Sequence, residues 1–235
     1  MFVQCPYCHK KIARESYAAH EKEHERRKPD GQHTDHVTNA PDQRYKGSLA
    51  GVPQSYRHAR CGRGTRMPEE IIRTYLVNPL AYVDRTFCTG CGDYVDGSEL
   101  TWIETGENMM DYKGRLRADY LERTYGISRA AQQKQVVVVT PRGAEAISVI
   151  GQRLGLTPPC SLMLKLVLEQ SKSNYVCRVA GDWDPDIEMV LPSGKVQIIV
   201  PKDQVELLRG TIVHYATPPM QGFLMCRLYA RKKRG

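Results

Sequence analysis

Aromatic bulk is scarce in this chain. Three Phe and two Trp stand among 235 residues, and thirteen Tyr carry most of the aromatic content. Together with a hydrophobic content of 41%, that argues against one large core and for smaller modules. No apolar run is long enough to cross a bilayer, which excludes a membrane-spanning helix and a membrane partner. No P-loop, Ser-His-Asp order or paired-acid motif is present, so a non-enzymatic protein is expected. Zinc-type ligands begin within the first ten residues, where a signal peptide would otherwise lie, so a cytoplasmic location is expected.

Cysteine and histidine are what the chain does have, and their spacing is informative. Cys5-Pro6-Tyr7-Cys8 is followed after eleven residues by His20 and after three more by His24. Two thiols and two imidazoles at these gaps make a zinc-type ligand set. His20 and His24 lie one helical turn apart, so both rings share a helix face. Ile12 and Tyr17 occupy the places where a small finger puts its two core side chains. So short a segment cannot bury enough apolar surface to fold alone, and metal binding is expected to supply roughly 10–16 kcal/mol. The stretch resembles a C2H2 zinc finger of the ββα type. Its base-facing positions would be Ala13, Ser16 and Ala19, with Glu15 beside them. None is a bidentate reader of bases, so sequence-specific DNA recognition is not expected, and a protein partner or an RNA shape suits the finger better.

A second constellation is more dispersed. Cys88-Thr89-Gly90-Cys91 repeats the two-residue gap, and His58 and Cys61 share it upstream. Together they predict a Cys3His zinc site with a long insert, and so two zinc ions per chain. The competing readings are a redox-active Cys88/Cys91 pair and a core thiol at Cys61. With two such centres, metal is expected to stand in for an ordinary core in the front half. Cys160, Cys177 and Cys226 fall in strand-like segments and read as buried free thiols, which fits a reducing compartment.

Composition divides the chain into residues 1–28 (finger), 29–54 (a polar linker), 55–130 (the second zinc module with a helix), 135–230 (an α+β domain, mostly β) and 231–235 (a basic tail). Within the linker, His33 and His36 read as exposed and unpaired in preference to metal-bound. In the module, residues 68–76 and 111–125 predict helices and residues 101–103 a strand. Further on, residues 135–140 predict a strand and residues 141–154 a helix opened by Pro141. Residues 161–169 alternate Leu on one face, and 175–180 are expected to pair with them. Strands over 195–200, 211–215 and 223–229 are expected to close the sheet, with a short helix over 201–208. Asp182, Asp184 and Asp186 read as a solvated turn in preference to a cation site.

The order of residues from Val139-Thr140-Pro141-Arg142-Gly143-Ala144 through Tyr175, Asp186, Gly194, Ile198-Ile199-Val200-Pro201, Leu207 to Gly210, Val213-His214-Tyr215 and Gly222-Phe223 resembles the A-type iron–sulfur carriers, the HesB/IscA-like domain. The resemblance covers about the last hundred residues and implies a fold more than an activity. The family's chemistry rests on three cysteines, one in a Gly-rich loop and two in a terminal Cys-x-Cys. This chain has no Cys within residues 169–174 and no Cys-x-Cys after Phe223, so a scaffold that has lost cluster ligation is expected.

The formal net charge is +8 and the sequence pI about 9.1, and Arg231-Lys232-Lys233-Arg234 ends the chain as a basic cluster. These favour a polyanionic partner. The expected function is a non-enzymatic zinc-binding adaptor that contacts RNA, DNA or a ribonucleoprotein. The alternative is an iron–sulfur carrier or assembly-related protein.

Overall fold

Six α-helices and several small sheets make a mixed α+β chain in the computed structural model, which describes residues 1–169, 172–216 and 222–229. Arg231, Lys232, Lys233 and Arg234 lie outside the described residues. Met1–Leu116 and Arg117–Tyr215 form the bulk of two compact units.

The first unit opens with a hairpin of β1 (Phe2–Gln4) and β2 (Lys11–Ala13), followed by α1 (Tyr17–His24). Ile12 and Tyr17 are only half-buried, whereas Cys5 and His24 are buried. Cys5, Pro6 and His24, rather than Ile12 and Tyr17, are therefore the most enclosed residues of this segment. Past α1 the chain reverses through Pro29-Asp30-Gly31. The Asp30 carboxylate accepts from Gln32 N–H (3.0 Å), and Gly31 takes φ +86°, which a side chain would resist. Arg27 and His33 pair across that turn.

Residues 29–54, linker-like in composition, carry specific contacts. Asn39 N–H donates to Thr74 Oγ1 (3.1 Å), Tyr82 OH to the Val37 carbonyl (2.7 Å) and Arg73 to the Tyr45 and Gly47 carbonyls. Backbone groups of this stretch are thus satisfied by the side chains of Thr74, Tyr82 and Arg73. His33 and His36 are half-buried rather than exposed.

The rest of this unit contains β3 (Ser55–His58), β4 (Gly64–Arg66), α2 (Glu69–Val77), β5 (Arg85–Cys88), β6 (Asp93–Asp96), β7 (Leu100–Trp102) and the start of α3 (Met109–Tyr125). Strand β3 lies between β4 and β7, and β5 and β6 form a separate hairpin. Glu69 and Glu70 stand in the first turn of α2, where backbone amides favour negative charge. Its Ile72 and Tyr75 face a core with Tyr56, Met67, Leu100, Trp102 and Met109, against which Leu49 and Val52 pack. The expectation that metal replaces an ordinary core in the front half is thus corrected. Large side chains such as Trp102 and Tyr75 contribute on the order of 1.5–3 kcal/mol each by burial. Sparse aromatic composition hid this core because nearly every aromatic near it is spent inside.

The second unit adds α4 (Arg129–Lys134), β8 (Val137–Val139), α5 (Pro141–Arg153), β9 (Ser161–Glu169), β10 (Lys172–Ala180), β11 (Glu188–Ser193), β12 (Val196–Pro201), α6 (Val205–Leu208), β13 (Thr211–Ala216) and β14 (Gly222–Arg227). Thr140 caps α5, its hydroxyl accepting from Gly143 N–H (3.1 Å), with Pro141 at the first helical position. One sheet runs β10-β9-β12-β11, with β9 and β12 parallel; the other runs β14-β13-β8. The last two strands therefore do not close the first sheet but build a second with β8, and no sheet closes among the described residues. Strand β11 reads poorly in sequence because Pro192 interrupts it. Leu162, Leu164 and Leu166 of β9 join Ile198, Val200, Ile147 and Val213 in one apolar cluster. The Asp182–Asp186 stretch is a turn, in which Asp184 accepts from Asp186 N–H (2.9 Å) and Asp184 N–H donates to Glu188 (3.0 Å).

Candidate metal centres

Both ligand sets come together. Cys5, Cys8, His20 and His24 each offer one donor atom, and these four atoms lie within 4.8 Å of one another. The same holds for His58, Cys61, Cys88 and Cys91. All eight cysteines are free thiols.

Several donor distances fall close to tetrahedral edges. With Zn–S of about 2.3 Å and Zn–N of about 2.0–2.1 Å, tetrahedral edges are about 3.3 Å for N···N, 3.6 Å for S···N and 3.8 Å for S···S. In the finger, His20 Nε2 lies 3.3 Å from Cys8 Sγ and 3.1 Å from His24 Nε2. In the second set, His58 Nδ1 lies 3.5 Å from Cys61 Sγ and 3.3 Å from Cys91 Sγ, and Cys61 and Cys88 are 3.5 Å apart.

One backbone device builds three of the four ligand pairs. His9 N–H donates to the Cys5 carbonyl (2.9 Å), Gly62 N–H to the His58 carbonyl (2.8 Å) and Gly92 N–H to the Cys88 carbonyl (2.9 Å). In each, the residue after the second ligand has positive φ: +63° at His9, +70° at Gly62 and +65° at Gly92. His58-x-x-Cys61-Gly62 is therefore the same knuckle as Cys88-x-x-Cys91-Gly92 with an imidazole in the first place. His9 alone takes this conformation without being Gly, at a cost of about 1–2 kcal/mol. Two contacts hold the second pair of knuckles together. Tyr56 OH donates to the Phe87 carbonyl (2.5 Å), and Thr89 N–H donates to Thr65 Oγ1 (3.1 Å).

Each site has a carboxylate behind one imidazole, and neither acid stood out in the sequence. The reversal at residues 29–31 carries Asp35 back along α1, so its Oδ2 lies 2.8 Å from His24 Nδ1. Glu99 sits beside His58 because β3 pairs with β7, where His58 is opposite Leu100; its Oε2 lies 2.8 Å from His58 Nε2. With its outer nitrogen donating to a carboxylate, each ring turns the lone pair of its inner nitrogen toward the thiols. The Tyr7 ring stacks on His24 at 4.9 Å between centroids.

Electrostatics point to a cation. Burial pushes the Cys5 thiol up. At Cys8 burial also raises the pKa, but the Lys10 backbone amide, His20 and Cys5 outweigh it and hold the thiol at about 7. The Arg63 backbone amide leads in drawing Cys61 down to about 7, against burial. Cys91 is pushed up to about 11 by burial and by its neighbouring thiols. Three thiols this close cannot all ionise beside one another unless a positive charge is shared among them. The donor set fits a divalent metal ion with nitrogen and sulfur preferences.

Cys160 and Cys226 are buried and Cys177 is half-buried in the second unit, and none joins a metal-type group among the described residues. His33 and His36 join none either. No described helix is long and apolar enough to cross a membrane.

No family model matches the chain, and a search of curated proteins finds no match. Three solved structures are similar to part of it. The crystal structure of Escherichia coli SufA, involved in biosynthesis of iron–sulfur clusters, is 19% identical with a TM-score of 0.35 and covers 42% of this chain and 86% of its own. IscA with its [2Fe-2S] cluster is 19% identical with a TM-score of 0.32, covering 38% and 80%. An Aquifex aeolicus protein solved by solution NMR is 18% identical with a TM-score of 0.30, covering 40% and 92%. Each of the three covers less than half of this chain.

Proposed function

We propose that this chain is a non-enzymatic zinc protein in which two zinc ions hold shape, and that it acts as an adaptor for nucleic acid or a ribonucleoprotein through basic surfaces. The observation that carries the zinc reading is the pair of four-donor groups, each with nitrogen and sulfur atoms within 4.8 Å of one another and a carboxylate behind an imidazole. When bound, each ion supplies the charge that lets the crowded thiolates coexist, and in doing so ties distant segments together. Cys5 and Cys8 would be tied to α1, and the β3–β4 knuckle to the β5–β6 knuckle. Full coordination by protein atoms favours a structural centre over a catalytic one. A net charge of +8 supports the polyanionic partner, and thiols free throughout suit a reducing, cytoplasmic compartment.

Elemental analysis of protein purified without affinity metal tests the metal reading. The expected content is near two zinc per chain with no iron, falling by one equivalent in Cys8→Ala and by the other in Cys88→Ala. Iron in place of zinc, or a content that neither substitution lowers, would sink it.

A further inference from the structure

We infer that the hairpin from Ser55 to Arg66 presents an arginine surface that binds the phosphate backbone of nucleic acid. Resting on the adaptor reading above, the inference adds where the contact is made.

Arg57, Arg60, Arg63 and Arg66 recur at every third residue, no acid lies among them in residues 55–66, and all four are exposed. The strand register places them. Tyr56 and Thr65 face each other on the buried side, so the alternate positions face out. Arg57 is opposite Gly64 and Ser55 opposite Arg66, which puts Arg57 and Arg66 diagonally across one open face, with Cα atoms about 7–8 Å apart. Arg60 lies inside the His58–Cys61 knuckle. Arg63 follows it and lies against the other knuckle, since a Cβ added to Gly90 would meet Arg63 Cβ at 2.6 Å. Nothing lies within 4 Å of where a Cβ would stand on Gly62 or Gly92, so both knuckles are open to an approaching chain.

These guanidiniums are not spent on the protein's own acids. Arg26, Arg73, Arg115, Arg129, Arg178 and Arg209 each make an ion pair with a carboxylate. None of the four hairpin arginines makes one among the described residues, and the only bond given to their side chains is Arg66 Nη2 to Gln54 Oε1 at 3.3 Å. The nearby acids are engaged elsewhere: Glu99 with His58, Glu104 with the Gln54 and Ser55 amides, Asp96 with Ser98 N–H and Asp93 with Tyr94 N–H. A face kept soluble by charge alone normally interleaves both signs. Here one sign is repeated, and it is carried by guanidinium, whose planar fork matches phosphate oxygens two at a time. Contacts of this kind hold a backbone without reading its bases, which agrees with the finger's lack of base-reading side chains. The pattern favours nucleic acid over an acidic protein because phosphates recur along a backbone as the arginines recur along the hairpin.

The test is a salt titration by fluorescence anisotropy, using the full-length metal-loaded protein and a labelled single-stranded RNA of roughly 20 nucleotides, long enough to pass all four arginines. Arg57→Gln/Arg60→Gln/Arg63→Gln/Arg66→Gln should bind roughly tenfold more weakly and lose about 2–3 from the slope of log K against log salt, while keeping its metal. Arg57→Gln/Arg66→Gln, away from the knuckles, should lose about half of that slope and serves if the fourfold variant releases metal. Wild-type binding with both variants unchanged would overturn the inference and leave the adaptor reading standing. No wild-type binding to RNA or to DNA of the same sequence would sink both. Binding of poly-glutamate in preference to RNA would also overturn the inference, by making the partner an acidic protein.

Discussion

Glu99 is the sharpest test of how the second centre is built. Its carboxylate lies 2.8 Å from His58 Nε2, while His58 Nδ1 faces Cys61 and Cys91. A neutral imidazole has one N–H, so holding it on Nε2 leaves Nδ1 free as a donor to metal. His58 is buried, with a side chain only 1% exposed, so its tautomer is set by Glu99 and not by water. Removing such an outer partner typically lowers metal affinity roughly 10–100-fold, about 1.4–2.8 kcal/mol. The Glu99 side chain is half exposed, which screens the pair and places the expectation toward the lower end. Glu99→Leu removes both hydrogen bond and charge and should weaken metal binding at one site by roughly tenfold. Glu99→Gln can still accept from Nε2–H through its amide oxygen, so it should lose only part of that. Competition against a chromophoric chelator reads the two sites as separate transitions. Only one transition should move in the Glu99 variants, and only the other in Asp35→Leu. Glu99→Leu with wild-type affinity at both sites would refute the claim that the carboxylate sets the ligand nitrogen.

Two further outcomes follow from single residues. His9→Gly removes the strain of φ +63° and should raise the finger's stability by about 1 kcal/mol, read as greater resistance to thermal unfolding at fixed free zinc; no gain would mean that the half-buried imidazole contributes as much as its strain costs. His214 is held down to about 4 by burial, with the Arg142 guanidinium adding to it. Below about pH 6.5 the unfolded chain takes a proton that the folded chain refuses, so stability should fall between about pH 6.5 and 4, by at most about 3 kcal/mol. Urea unfolding at pH 7 and pH 5 should show a smaller loss in His214→Gln than in wild type, and equal losses would reject the assignment.

The candidate donor groups were legible because chelation leaves short, fixed gaps in a chain. Cys5/Cys8, His20/His24, His58/Cys61 and Cys88/Cys91 are each local pairs, and only the joining of one pair to another needed the fold. Asp35 and Glu99 were not legible. They reach their imidazoles through a chain reversal and a strand register, and neither leaves a fixed sequence gap. Alternation exposed β9 because Leu recurs at every second position, whereas β11 is broken by Pro192. The separation of the β strands into two sheets was also hidden. Each strand's apolar pattern says that it has a buried face, but not which partner supplies the edge. The arginine spacing of residues 57–66 was visible from the start, yet its meaning depends on Tyr56 and Thr65 facing inward.

The two centres stand in different energetic settings within the same unit. Around the finger site the buried residues are Cys5, Pro6 and His24, while Ile12 and Tyr17 are half open to water. Little apolar burial is left to hold β1, β2 and α1 together, so the ligand bonds must carry that fold. The second site lies at one end of a core containing Trp102, Tyr56, Leu100 and Ile72. Tyr56 belongs both to that core and, through Phe87, to the knuckle pair. Burial can therefore keep β3, β7 and α2 in place, and an ion bound there would tie the two knuckles to each other. A metal bound there would also steady the His58–Gly62 turn, which carries Arg60 and is followed by Arg63. The second centre would then help to present a surface, where the first would hold a fold together.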